Sequence, residues 1–126
     1  MLHGEQYLEL LRPLATDGKL ITRGSVVDVM DKKSGAVVVT LCESFDEHGE
    51  IVIRNQSSTF VVGAGNFGGK SKPNDQVIPT VPAPNRNPDF VTLCTTTVDQ
   101  AALYRLSGDF NPMHIDPSFS KLGGFK

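Results

Sequence analysis

The sequence predicts an α+β fold in which an antiparallel sheet comes first and helical segments flank it. Three observations predict this. β-Branched residues crowd the stretches 20–30, 36–45 and 50–62, as strands require. The connections between them, residues 31–35 and 46–49, are too short for a crossover and force antiparallel pairing. Helix-type spacing of apolar residues is confined to the two ends, in residues 1–17 and 98–106.

Taken in order, residues 1–17 read as the tail of a helix. Tyr7, Leu8, Leu10, Leu11 and Leu14 supply its apolar side, and Pro13 stops it. His3 and Glu5 flank Gly4; they could be ligands or catalytic groups, or could cap the helix or line a subunit contact. The first strand carries Val26, Val27 and Val29 and ends in a turn with Gly35 at the position that tolerates positive φ. Val37, Val38, Val39 and Leu41 fill the second strand, and the turn at 46–49 follows it. His48, beside Glu47 in that turn, is a solvated residue. In the third strand Ile51 and Ile53 alternate with Val52 and Arg54.

Composition shifts after this. Residues 65–89 form a connecting segment rich in glycine and proline, between a partial N-terminal half at 1–64 and the start of a second half at 90–126. Its Gly68, Gly69, Lys70 and Lys72 could meet coenzyme phosphates, the alternative being a flexible linker. Their spacing is not that of a phosphate-binding loop. Residues 90–97, rich in threonine, are expected to form a fourth strand. Thr97 and Gln100 then read as a capping box for a helix carrying Ala101, Ala102, Leu103 and Leu106. Asp116 and Pro117 are the cap and first residue of a short last helix that Gly123 and Gly124 end.

The chain has 126 residues, 39% of them hydrophobic and 21% charged, which suits one ordinary domain with a core. A net charge of −2 with no basic run argues against nucleic acid as a partner. Cys42 and Cys94 lack a paired motif and are expected to stay reduced. No stretch resembles a signal peptide or a membrane-spanning helix, so no membrane partner is expected. Ser120-Lys121-Leu122 spells a peroxisomal address, but further residues follow it here and such signals act at a C-terminus. His3, His48 and His114 lack ligand spacing, and no metal is expected.

Chemistry concentrates in residues 104–117, Tyr-Arg-Leu-Ser-Gly-Asp-Phe-Asn-Pro-Met-His-Ile-Asp-Pro. Gly108 lets the chain leave the helix with positive φ, and Pro112 prevents its resumption and biases Asn111 to an extended conformation. On a regular helix Asp109 and His114 would face different ways. Across this crank they can converge on one water or substrate, as general acid–base catalysis needs. Each alone would be a turn former or a surface residue; the joint pattern favours catalysis.

Tyr104, Gly108, Asp109, Asn111, Pro112, Met113, His114 and Ser120 match, with Met as the one mild departure, a signature that resembles the 2-enoyl-CoA hydratase type 2 family. That family is MaoC-like and has the hot-dog fold, an antiparallel sheet wrapping a helix. Segments 3–7 and 65–70 share the likeness, which covers nearly the whole chain. The resemblance implies an N-terminal hot-dog half, the start of a second, catalytic half, and further sequence on both sides. It implies a lyase of fatty acid β-oxidation that reversibly adds water to trans-2-enoyl-CoA to give the (3R)-3-hydroxyacyl-CoA. Asp109 and His114 would hold and deprotonate the water, with Asn111 and Gly108 positioning it. Coenzyme A enters as part of the substrate and no separate cofactor is expected. An acyl-CoA thioester and a second copy in a homodimer are the implied partners, and the peroxisome the implied location. In the family the enolate's backbone donor comes from a helix beyond Lys126 of this sequence. The alternative is therefore a non-catalytic, acyl-CoA-binding or dimerising fragment.

Overall fold

The valine-rich stretches pair as the turn lengths require. Strands β1 (Leu2–Leu10), β2 (Ile21–Asp31), β3 (Gly35–Phe45) and β4 (Ile51–Val62) form one antiparallel sheet in the order β1-β4-β3-β2. In the computed structural model, residues 1–122 and Gly124 are described. They fall into two units, Met1–Pro82, which holds the sheet, and Ala83–Lys126.

The N-terminal segment is a strand and not the expected helix. β1 pairs with β4 from Leu2↔Phe60 to Leu10↔Ile53. Its leucines do recur at intervals a helix would accept. However, β4 offers a long row of unpaired backbone groups, and filling that edge outweighs local propensity. Arg54 fixes the register by bridging Glu9 on β1 (3.1 Å) and Glu43 on β3 (3.2 Å). His3 and Glu5 accordingly lie on an edge strand, astride a bulge at Gly4, and cap no helix.

The β2–β3 turn differs in one detail from expectation. Lys33, at φ 63°, takes the left-handed conformation expected of Gly35. Gly35 serves a different need. A Cβ there would lie 2.4 Å from the Phe60 ring and 2.6 Å from the Val61 carbonyl oxygen, so only glycine lets β4 approach. The second turn follows expectation, with Gly49 at φ 79° and the Asp46 side chain accepting the His48 and Glu50 amides (both 2.9 Å).

Register places Asp28, Val39, Ser58 and Glu5 side by side on one face, with Met30, Val37 and Phe60 in the next row. Val39 is fully buried, and Met30, Ala36 and Val52 complete the small apolar core. The Gly/Pro-rich segment carries no regular structure as far as Pro82, yet it is fastened to the sheet and is no flexible linker. Buried Gln56 reads one strap residue at both ends of its amide, donating to the Ile78 carbonyl (3.0 Å) and accepting its N–H (2.8 Å). Buried Asp28 accepts the Asn74 amide (2.7 Å) and pairs with Lys70 (2.9 Å). A bulge between Val26 and Asp28 takes Val27 out of the ladder, and the Asn74 side chain donates to its carbonyl (2.8 Å). Thr80 donates to Glu5 (3.1 Å).

In the second unit, residues 90–97 form no strand. Threonine-rich sequence becomes a strand only against a partner edge, and none pairs with it among the described residues. Helix α1 (Gln100–Leu106) starts at Asp99, with no side-chain cap. The Thr97 carbonyl, and not its hydroxyl, accepts the Gln100 amide (3.2 Å), so the expected capping box is not formed. Helix α2 (Pro117–Leu122) starts as expected, with Asp116 accepting the Ser118 (2.8 Å) and Phe119 (3.4 Å) amides. Gly124 follows it at φ 80°; Gly123, expected to share in ending the helix, lies outside the described residues.

Candidate active site

The connection between α1 and α2 is built by its own side chains. Gly108 leaves the helix at φ 115°, a conformation costly for any residue with a Cβ. Asp109 then folds its carboxylate back over the turn, accepting the Asn111 amide at Oδ1 (3.0 Å). Asn111 is extended (φ −60°, ψ 117°), as a residue before proline should be, and its side chain accepts the Met113 amide (3.1 Å). These bonds wind Pro112–His114 into a single 3₁₀ turn. Ser120, from α2, donates to the Met113 carbonyl (3.0 Å) and so ties the turn to the following helix.

The outcome is that His114 Nε2 stands 3.5 Å from Asp109 Oδ2, with 45% and 36% of the two side chains exposed. That gap is long for a direct hydrogen bond and too short for a water to stand between the two atoms, so a water that meets both must lie beside the pair. The Asn111 amide, the Tyr104 hydroxyl and the nearby charges of His114 and Arg105 hold the Asp109 carboxyl below its ordinary range despite partial desolvation. Asp109 is thus ionised and acceptor-only where an attacking water would be oriented. Asn111 shapes the turn with its side chain, whose carbonyl serves the Met113 amide.

Tyr104 and Arg105 were not expected as site builders. Tyr104 donates to Asp109 Oδ2 (2.9 Å), and its ring meets the His114 ring edge-on with centroids 5.4 Å apart. Arg105 donates to the Phe110 carbonyl (3.1 Å) and lies over the Phe110 ring, 5.3 Å from its centre. Their spacing carried the signal: positions five before the acid and five before Phe110 sit on the last turn of α1, above the returning chain.

The remaining sequence-derived residues lie in the other unit, where all of them are exposed and contacts within the fold engage most of them. The Gly68 amide donates to Asp31 Oδ2 (3.0 Å), and Asn66 and Lys33 donate to Oδ1 (both 2.9 Å). These amides and that of Phe67 hold the Asp31 carboxyl below its ordinary range, against some desolvation. Gly69 lies against the Phe67 ring, which a Cβ would strike at 2.1 Å. Lys70 pairs with Asp28, which leaves exposed Lys72 to carry the phosphate-binding reading. Glu5 receives Thr80, and His3 stands exposed on β1. No group of three or more His, Cys, Asp or Glu suited to a metal occurs among the described residues.

Residues 1–63 match the MFE-2 hydratase 2 N-terminal domain, and residues 79–126 match the MaoC like domain. The chain belongs to the MFE-2 hydratase 2 N-terminal domain family. It is 64% identical over 126 residues to the peroxisomal multifunctional enzyme type 2 of Drosophila melanogaster, covering all of this chain and 21% of that protein. To the peroxisomal enoyl-CoA hydratase 2 of Arabidopsis thaliana it is 40% identical over 133 residues, covering 99% of this chain and 43% of the relative. The solved structure of the full-length Drosophila enzyme superimposes with a TM-score of 0.76 at 59% identity, over 100% of this chain and 22% of that one. A MaoC-like dehydratase from Phytophthora capsici gives a TM-score of 0.71 at 39% identity, over 99% of this chain and 43% of that one. The chain therefore spans less than half the length of each of these relatives. The expected fold class holds: the sheet is that of a half hot-dog domain.

Proposed function

We propose that the polypeptide carrying this sequence is an (R)-specific 2-enoyl-CoA hydratase. The observation that carries this reading is the pair Asp109–His114, held 3.5 Å apart by a turn whose residues match the family signature. A water lying beside Asp109 Oδ2 and His114 Nε2 and hydrogen-bonded to both attacks C3 of a trans-2-enoyl thioester. Negative charge then moves onto the thioester oxygen. The proton taken from the water is the one available for C2, so the same pair closes the cycle. The substrate is an acyl-CoA, with Lys72 as the group offered to its phosphates; homodimeric assembly and a peroxisomal location complete the proposal. The names of the relatives in Drosophila and Arabidopsis support it.

The test is hydration of a medium-chain trans-2-enoyl-CoA by the polypeptide at its natural length, followed by Asp109→Ala and His114→Ala. Each substitution should lower kcat by about 10²–10⁴, the usual scale for an acid–base group. Unchanged kcat in both variants rejects the assignment.

A non-catalytic, acyl-CoA-binding or dimerising role for this span alone is favoured by a separate observation. None of the residues of α1, the 3₁₀ turn or α2 is buried, so the pair stands open to solvent that the reaction must exclude.

A further inference from the structure

We infer that Tyr104 is a positioning residue of the hydration site, setting Asp109 through its hydroxyl and His114 through its ring. The inference deepens the hydratase reading and rests on it. Two contacts from one side chain carry it. The Tyr104 hydroxyl donates to Asp109 Oδ2 at 2.9 Å, the same oxygen that lies 3.5 Å from His114 Nε2. The Tyr104 ring meets the imidazole at 83° with centroids 5.4 Å apart, an edge-to-face contact that limits how the imidazole can tilt.

The chemistry gives each contact a task. A water shared by Asp109 and His114 needs an ionised carboxylate whose acceptor direction is fixed. Asp109 Oδ1 is turned by the Asn111 amide. Oδ2, the oxygen facing the imidazole, has Tyr104 as its hydrogen-bonding donor, which occupies one lone pair and leaves the other toward the water. The groups that act on Asp109 are the Asn111 amide, the Tyr104 hydroxyl, His114 and Arg105. Asn111 meets both residues through its backbone, accepting the His114 amide at its carbonyl, whereas Tyr104 meets both with its side chain and at both side chains. Donation to Asp109 in turn raises the Tyr104 phenol above its ordinary range, so it remains a donor wherever the carboxylate is ionised. Tyr104 moves no proton in the reaction.

Tyr104→Phe keeps the ring against His114 and removes the donor. Measured by NMR on the Asp109 carboxyl carbon of the natural-length polypeptide, its titration midpoint should rise by about one pH unit, the scale of one lost hydrogen bond to a carboxylate. The acidic limb of kcat/KM for hydration should rise with it, with kcat reduced and KM little changed. Tyr104→Leu removes the ring as well and should lower kcat further at every pH. Placing 3-fluorotyrosine at position 104 alone makes that phenol a stronger donor. The Asp109 midpoint should then fall. A midpoint that stays put in Tyr104→Phe, or under fluorination if that variant fails to fold, overturns the inference. If the wild type hydrates no enoyl-CoA, the functional reading fails while the carboxyl titration still decides the role of Tyr104.

Discussion

At the scale of single residues, this chain separates positions that bear on chemistry from positions that bear on packing. Val39 is the one large side chain with no exposure among the described residues, and it sits under the strap. Val39→Ala should destabilise the sheet unit by about 1.5–3 kcal/mol, the loss expected on emptying a buried valine site. Chemical denaturation would measure this. Gly35→Ala tests a different force, since its methyl would enter the space held by the Phe60 ring and the Val61 carbonyl. A loss of about 1–3 kcal/mol is expected, and Phe60→Leu in the same chain should recover part of it by relieving the overlap. The turn that carries Asp109 and His114 was legible residue by residue. Gly108, Asn111 and Asp116 were placed correctly because each follows from a local rule of backbone geometry or capping.

At the scale of elements, the strap is the feature that local sequence concealed. Its glycines and prolines exclude helix and strand, which reads as flexibility. What fastens it are the side chains of Asp28, Asp31 and Gln56, on strands distant in sequence, and none of these contacts leaves a periodic trace. The fastening depends on charge, and its pH dependence has a definite sign. Burial raises the Asp28 carboxyl, but the Lys70 ammonium and the amides of Asn74 and Val29 outweigh it and hold it low. Asp31 is held low by its ring of amides. A depressed carboxylate contributes stability that is complete above its unfolded pKa of about 3.9 and is lost as pH falls through the lower folded value. Amide exchange at Asn66, Gly68 and Asn74, taken relative to its intrinsic pH-dependent rate, should therefore be steady from neutrality to about pH 4 and then accelerate, before the sheet amides follow. Asp28→Asn should flatten the acceleration at Asn74; an unaltered profile would mean that Asp28 does not anchor the strap. Gln56→Ala, which strands the Ile78 amide and carbonyl, should cost about 1–3 kcal/mol and speed exchange at Ile78 alone.

At the scale of the whole molecule, the two units differ in how much apolar surface they hide. In the second, Leu93 is 95% exposed, and Leu103, Leu106, Phe119 and Leu122 are exposed as well. Phe125, expected to share this property, lies outside the described residues. Open apolar surface on that scale favours association. The 126-residue span produced on its own should therefore self-associate or be marginally stable, and light scattering would measure the former. It should also show no detectable hydration of an enoyl-CoA, because the Asp109 and His114 side chains stand 36% and 45% exposed to solvent. Robust turnover by the span alone, its mass confirmed, would show that the open site suffices.

Sequence by itself determined the three-stranded meander, both turns, the last helix and the crank that brings Asp109 to His114. All of these depend on residues near one another in the chain, where turn length, proline, glycine and capping side chains act directly. Tertiary structure decided the rest. The first segment became a strand because it pairs with β4, and residues 90–97 did not because no strand pairs with them among the described residues. The glycine-rich connection became a fixed strap because buried acids and an amide from the sheet satisfy its backbone groups. The physical reason is the same in each case: an unpaired backbone group must find a partner, and that partner lies far away in sequence.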